Sequence, residues 1–362
     1  MALTDGPTLR RPMETVRRDG DGIVILDQSA LPFRTVSRRL GAAAEVAEAI
    51  VSMRVRGAPL IGATAAFGVA IAMNARPSGE ALDTVVRELG GTRPTAVNLQ
   101  WALERMRSHL LGVAEADRPA AAWAEAEAIA REDADRCLAI GRHGSAILEE
   151  LAGRRAGPVR VLTHCNAGWL AACGIGTALA PVYCAHADGL PVEVIVSETR
   201  PRNQGLLTAW ELRQAGVPHT FIADNAAGHL LATGQVDVVI TGADRIAANG
   251  DTANKVGTFL KALAARDAGV PFLVAAPSST LDFACPDSAA IPIEDRGSEE
   301  VVRVRGLDAH GEVSDVRLVP AGTRVSNPAF DITPARLVTG FLTERGLIAP
   351  TDLSDAFPER TS

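Results

Sequence analysis

The sequence predicts an α/β protein in which a Rossmann-like, doubly wound parallel-sheet domain follows a mostly helical N-terminal domain with a small β element. Three observations predict it. Residues 1–150 are dominated by apolar positions at helical spacing. After Gly157-Pro158, short β-branched runs alternate with helical stretches of about ten to fifteen residues, the signature of βαβ units. Each run then ends in a polar loop, and open α/β sheets bind ligands at that edge. The expected division is a helical domain over 1–150, a catalytic Rossmann-like domain over 151–350 and a tail over 351–362.

Taken in order, residues 1 to about 20 read as frayed, and Gly22–Leu26 as a strand of a small hairpin or sheet. From Ala42 a helix runs through Val46, Ile50, Val51 and Met53. Arg54–Pro59 breaks it, with Pro59 suited to open the next helix. That helix, to about Asn74, is almost entirely small or apolar and so is expected to be buried on most sides. Helices follow at about Ser78–Leu89, Val97–Leu111 and Pro119–Leu151, with Arg93 in the intervening loop Gly90–Pro94. Strands are expected at Val159–His164, Val192–Glu198, Thr220–Ala223, a run ending at Thr241, and Pro271–Ala276. A small-residue helix is expected soon after Cys165, a short helix capped by Asp224-Asn225, and a helix from Lys255 to about Ala268.

A net charge of −7, a pI near 5.6 and 4% aromatic residues argue against a nucleic-acid surface. No apolar run is read as reaching the ~18 residues of a membrane span, and the polar N-terminus fits no signal peptide. The five cysteines lack C-x-x-C spacing, so free thiols in a cytoplasmic setting are expected. No Walker loop, G-x-S-x-G elbow or metal-ligand spacing is found, and Gly174-x-Gly176 falls inside a helix candidate without a third glycine. Neither cofactor nor metal is therefore expected.

The stretch Val236–Thr258 holds the sharpest candidates. Asp244 follows a buried strand, and Lys255 with Gly257 is placed at a helix start, where backbone N–H groups hold anions. Alone, Asp244 reads equally as a helix N-cap and Lys255 as a solvated charge; together they favour a site. Cys165 lies between a strand end and a glycine turn, where a helix N-terminus would lower its pKa; an inert core thiol is the alternative. Cys173 and Cys184 default to core, and His164 to a backbone hydrogen bond. Arg56, Arg93, Arg200, Arg202 and Lys255 all read as loop cations suited to an anionic substrate.

The motifs R-G-A-P (Arg56–Pro59), T-R-P-T-A-V-N (Thr92–Asn98), T-H-C-N-A-G (Thr163–Gly168) and E-T-R-P-R-N-Q-G (Glu198–Gly205) occur in this order. They are followed by G-A-D-R-I-A-A-N-G-D-T-A-N-K-V-G-T (Gly242–Thr258), A-P-S-S-T (Ala276–Thr280) and N-P-A-F-D-I-T-P (Asn327–Pro334). With them the chain resembles the methylthioribose-1-phosphate isomerase family of methionine salvage. The superfamily includes ribose-1,5-bisphosphate isomerases and regulatory subunits of a eukaryotic translation-initiation guanine-exchange factor, the latter without the catalytic pair. The resemblance implies Cys165 and Asp244 as catalytic pair and Arg56, Gly57, Ala58, Arg93, Gln204, Asn254 and Lys255 as substrate-binding residues. It further implies a sugar-phosphate substrate and a homodimer. Trp169, Ile175 and a shortened Gly205–Thr208 depart from the family pattern and are expected near the pocket.

The implied reaction needs such residues. A furanose 1-phosphate has no free aldehyde, so ring opening must be coupled to loss of the carbon-two proton. That requires an acid and a base held at opposite protonation states. Asp244 is expected as a protonated acid, Cys165 as a thiolate base, and Arg56, Arg93 and Lys255 as phosphate ligands. A hydride shift is the rival route.

Overall fold

The computed structural model describes residues 13–93 and 96–360, so Pro94 and Thr95 of the T-R-P motif lie outside the described residues. A small antiparallel sheet opens the chain: β1 (Val16–Asp19), β2 (Gly22–Leu26) and β3 (Ser37–Leu40), in that order. Val16–Asp19 falls within the stretch expected to be frayed; pairing with β2 orders it, a partner that local composition does not reveal. Helices follow as α1 (Ala43–Val51), α2 (Ala58–Ala75), α3 (Gly79–Gly91), α4 (Val97–Leu111) and the 35-residue α5 (Arg118–Ala152).

One expectation fails at α2. With 18 residues it is long and apolar enough, by length and composition, to cross a membrane. It is instead the core helix of this half, packed by α1, α3, α4 and α5, with Leu60 and Met73 fully buried. Small residues allow that crowding: a Cβ at Gly62 would fall 2.6 Å from the Asn98 carbonyl oxygen.

The second half is built on β4 (Val159–Thr163), α6 (Ala180–Ala187), β5 (Val192–Ser197), α7 (Gly205–Ala215), β6 (His219–Ile222), α8 (Ala226–Ala232) and β7 (Val238–Thr241). A short hairpin, β8 (Arg245–Ala247) and β9 (Thr252–Lys255), precedes α9 (Thr258–Ala268) and β10 (Phe272–Ala275). Then come β11 (Leu281–Asp282), α10 (Glu299–Val302), the exposed hairpin β12 (Arg303–Leu307) and β13 (Val313–Arg317), β14 (Phe330–Thr333), β15 (Gly340–Thr343), β16 (Gly346–Ile348) and α11 (Leu353–Ala356). The sheet has seven strands in the order β16-β15-β10-β7-β4-β5-β6, all neighbours parallel except β15 and β16. From β6 inward the parallel strands thus run third, second, first, fourth, fifth, sixth in chain order, the Rossmann arrangement. Near-continuous β-branched runs suit strands covered on both faces. One apolar cluster joins α6, α7 and part of α5 to one face, and another joins α8, α9 and the C-terminal segment, including Leu353 and Phe357, to the other.

Successive strands are added to one side of β4 up to β6 and to the other side from β7, which pairs parallel with β4 through Val161 with Val238 and Leu162 with Val239. Strand order reverses at such a point, leaving a crevice beyond the carboxyl ends. Cys165 follows β4 and Asp244 follows β7, so both open onto it.

Three local expectations are corrected here. Lys255 ends β9 rather than starting a helix, because β9 pairs with β8 and with the distant β14, Lys255 opposite Phe330. The segment after Cys165 is irregular, with one short turn at Trp169–Ala171 and no helix before Ala180; Gly174 and Gly176 lie in this loop, where a Gly168–Gly176 bridge brings two backbones together. Asp224 does not cap α8: its carboxylate accepts from the Thr199 and Arg200 N–H groups and from the Ser197 hydroxyl.

Candidate active site

The crevice is closed by the helical half, and its lining gathers Arg56, Gly57, Ala58, Arg93, Cys165, Gln204, Asp244, Asn254 and Lys255. Every residue that the family resemblance assigned to the site is thus brought to one cavity. His164, Asn166, Arg202, Arg296 and Phe330 join them. Trp169 and Ile175, expected near the pocket, are not among its lining residues; Trp169 packs on Trp210 at 5.6 Å between ring centroids. Arg200 also stays outside, donating to the Pro201 and Val301 carbonyls at 2.9 Å.

Cys165 is held in a left-handed conformation, φ 67°, which a non-glycine residue adopts only when its surroundings enforce it. Its N–H donates to Thr199 Oγ1 at 2.8 Å, and its carbonyl accepts from Thr208 Oγ1 at 2.8 Å. No helix begins at this loop, so the expected lowering of the thiol by a helix start is absent. Burial instead pushes the Cys165 thiol up; Arg56 and Lys255 pull against it and Asp244 adds to it. His164 is a satisfied core histidine, Nε2 2.9 Å from the Val256 carbonyl, and burial together with Lys261 lowers its pKa to about 3.

Asp244 is pinned through its N–H to the Ala253 carbonyl at 2.9 Å, not placed as a helix cap. Burial raises its carboxyl above the ordinary range, opposed by Lys255, Arg93, Arg296 and Arg56. Lys255 Nζ donates to the Ala329 carbonyl at 2.8 Å and lies 4.7 Å from the Phe330 ring centroid; the Arg296 guanidinium lies 5.2 Å from the same ring. Burial and then Arg296 bring Lys255 down to about 8. Glu294 answers Arg296 at 3.1 Å and Arg93 at 4.0 Å, while Glu300 answers Arg202 at 2.6 Å.

The N-terminus of α2 faces the cavity. Gly57 is its N-cap, with φ 93°, and no side chain caps it. A Cβ there would overlap the Ala171 backbone, so glycine is required both for the positive φ and for the close approach. Arg56, just before it, donates through Nη2 to Asn166 Oδ1 at 3.2 Å, while Nη1 is buried without a partner. Arg93 Nε, Arg296 Nε and Gln204 Oε1 are likewise buried and unpartnered. Orphaned buried polar atoms are costly unless a ligand completes them. The α9 start, expected to cradle an anion, is already filled: Gly257 and Phe259 N–H donate to Asp331 at 2.6 and 3.2 Å.

Sequence reasoning missed Arg296, because nothing local distinguishes Glu294-Asp295-Arg296 from a surface turn. It also left Asn166, Phe330 and Asp331 without roles, although each lies inside a quoted motif.

Fold and site define a class: a Rossmann-like α/β protein whose switch-point crevice sets a thiol and a carboxyl among buried cations, built for a small anionic molecule. The profile of the Initiation factor 2 subunit family matches residues 54–350. The chain is 58% identical over 338 residues, 93% of each chain, to the methylthioribose-1-phosphate isomerase of Dechloromonas aromatica. Among solved structures it superposes on 5-methylthioribose 1-phosphate isomerase from Pyrococcus horikoshii with a TM-score of 0.83, at 38% identity and 97% coverage of both chains. It also superposes on the translation initiation factor eIF-2B delta subunit from A. fulgidus with a TM-score of 0.78, at 35% identity, covering 96% of this chain and 99% of the other. The chain belongs to the Initiation factor 2 subunit family and, within it, to the methylthioribose-1-phosphate isomerases.

Proposed function

We propose that this chain is an aldose–ketose isomerase that converts 5-methylthioribose 1-phosphate to the corresponding ribulose 1-phosphate in methionine salvage. The observation that carries the site assignment is the convergence of Cys165 and Asp244 on one cation-lined crevice. In this reading Arg56, the N–H groups of Gly57 and Ala58 at the α2 start, and Lys255 hold the phosphate. Arg93, Gln204 and Asn254 hold the sugar hydroxyls, and the apolar side of the cavity, with Met53, Ile61 and Ile291, receives the carbon-five substituent.

The working form of the pair carries one proton. Burial raises both groups, Arg56 and Lys255 favour an anion at either, and Asp244 adds to the rise at Cys165, which opposes ionisation of both together. In the reactive arrangement that proton is on Asp244. The Cys165 thiolate removes the carbon-two proton as the bond from carbon one to the ring oxygen breaks, and Asp244 protonates that oxygen. The product of this step is a phosphoenol. Cys165 returns its proton to carbon one, the carbon-two hydroxyl proton passes to Asp244, and the ketose phosphate leaves with both groups restored.

A 1,5-bisphosphate is the second reading, favoured by the extra cations Arg93 and Arg296; Glu294, between them, weighs against it. The test is turnover of 5-methylthioribose 1-phosphate, 5-deoxyribose 1-phosphate and ribose 1,5-bisphosphate, followed by ketose formation. Ketose from the first is expected; none from any of the three overturns the assignment. Deuterium at carbon two exchanging into solvent supports proton transfer, and its full retention at carbon one in the product supports a hydride shift. The protein is further proposed to act in the cytoplasm, where its free cysteines are stable, and as a homodimer, which light scattering tests.

A further inference from the structure

The inward face of α7 carries two polar residues with no exposed surface, Thr208 and Glu211, spaced to lie on one side of a helix. Both point at the thiol loop. Thr208 holds the Cys165 carbonyl at 2.8 Å and accepts from Asn166 Nδ2 at 3.1 Å. Glu211 accepts from the same Asn166 amide, from the Tyr183 hydroxyl at 3.1 Å, and from the Trp169 and Leu170 N–H groups. A Cβ on Gly168 would overlap the Glu211 carboxylate, so the loop is shaped around this side chain. The Asn166 carbonyl oxygen then holds Arg56 at 3.2 Å.

Burying a carboxylate is unfavourable, and an apolar residue of the same volume is often at least as stable. The acceptors of Glu211 go to amide, phenol and peptide donors, all of which belong to the loop or to its immediate support. We propose that Glu211 is a positioning residue: acting through Asn166, it locks the Cys165 loop and the Arg56 guanidinium into one frame, so that thiol and phosphate ligand keep a fixed separation. The carboxylate touches no reacting atom. Ionised, as it is above pH 7, it presents acceptors only, so that Asn166 turns its amide donors toward α7 and its oxygen toward Arg56. A glutamine offers one acceptor oxygen in place of two, so its NH2 group would face either the Asn166 amide or the Trp169 and Leu170 N–H groups, all of them donors. This inference rests on the phosphate role proposed for Arg56.

The test is E211Q in the full-length protein, with three readouts: kcat and KM for 5-methylthioribose 1-phosphate, the dissociation constant of inorganic phosphate by calorimetry, and the thermal midpoint. A folded E211Q is expected to bind phosphate at least tenfold more weakly and to lose at least tenfold in kcat. A lowered midpoint with kcat and phosphate affinity within twofold of wild type means a merely structural role and overturns the proposal. If E211Q does not fold, N166A decides, since it removes the link between Glu211 and Arg56 and leaves both residues in place. A kcat loss of at least fivefold is expected, and a wild-type kcat overturns the proposal. Wild-type protein that binds phosphate but isomerises none of the sugar phosphates refutes the substrate reading alone, and the E211Q phosphate affinity still decides this one. Wild-type protein that forms ketose but binds no inorganic phosphate overturns the phosphate role of Arg56 and this proposal with it, and leaves the isomerase reading standing.

Discussion

Two helix starts lie at the carboxyl edge of this sheet, and they have opposite fates. At α9 the first N–H groups are taken by Asp331, a carboxylate brought by β14 from 74 residues away. At α2 the cap is a glycine, no side chain reaches the first turn, and Arg56 stands beside it with a buried N–H group unpartnered. The dipole is similar in the two cases. What differs is whether the chain supplies its own anion. A helix start is a ligand site only where the fold leaves it uncapped.

This contrast can be broken by experiment. The largest effect is expected at the pair that the α2 start faces: C165S and D244N should each lower kcat by ~10³-fold or more with a modest change in KM, as for loss of general acid–base groups. Near-normal turnover in either would move the chemistry elsewhere. Next, R56A should lower kcat/KM by ~10²-fold or more, since it removes a buried charge-assisted ligand. G57A should cost about 3 kcal/mol or more in stability, from the positive φ and the overlap with Ala171; a G57A protein as stable as wild type would mean that α2 is not seated there.

A smaller effect concerns pH. Burial raises Glu211 to about 7 from an ordinary 4.5, so its folded-state cost is absent below pH 4.5, grows between the two values and is full above 7. His164 works in the opposite direction: held down to about 3, it contributes stability at neutral pH that is lost as pH falls from 6.5 toward 3. The stability of E211Q relative to wild type should therefore improve by about 2 kcal/mol between pH 5 and 8, as read from urea unfolding at each pH. A flat difference would mean that Glu211 does not titrate in this range. Last, D331A should cost about 1–2 kcal/mol as a lost cap, with phosphate affinity affected far less than in R56A. An equal loss of affinity would erase the distinction between the two helix starts.

Much of the fold was legible because its signals are local. The helix Val97–Leu111 shows its period in its own residues, and the strands before Cys165 and Asp244 show β-branched runs with polar ends. The failures are non-local. Lys255 reads as a helix start because what makes it a strand residue is Phe330, far along the chain and opposite it in β14. The hairpin β12–β13 went unread because its strands alternate charge with scattered apolar residues and bury little. Of the site, the motif residues were legible and Arg296 was not, since its role depends on a ring and a carboxylate that folding brings to it.

That ring has a consequence of its own. Phe330 lies within cation–π distance of both an ammonium and a guanidinium, which repel each other. A carboxylate in its place would soften the repulsion by cancelling charge, and the cavity would lose its pull on an incoming anion. A benzene face softens it without being an ion. It takes up no proton, so acidification cannot remove it, and the attraction of the cavity remains for the guest.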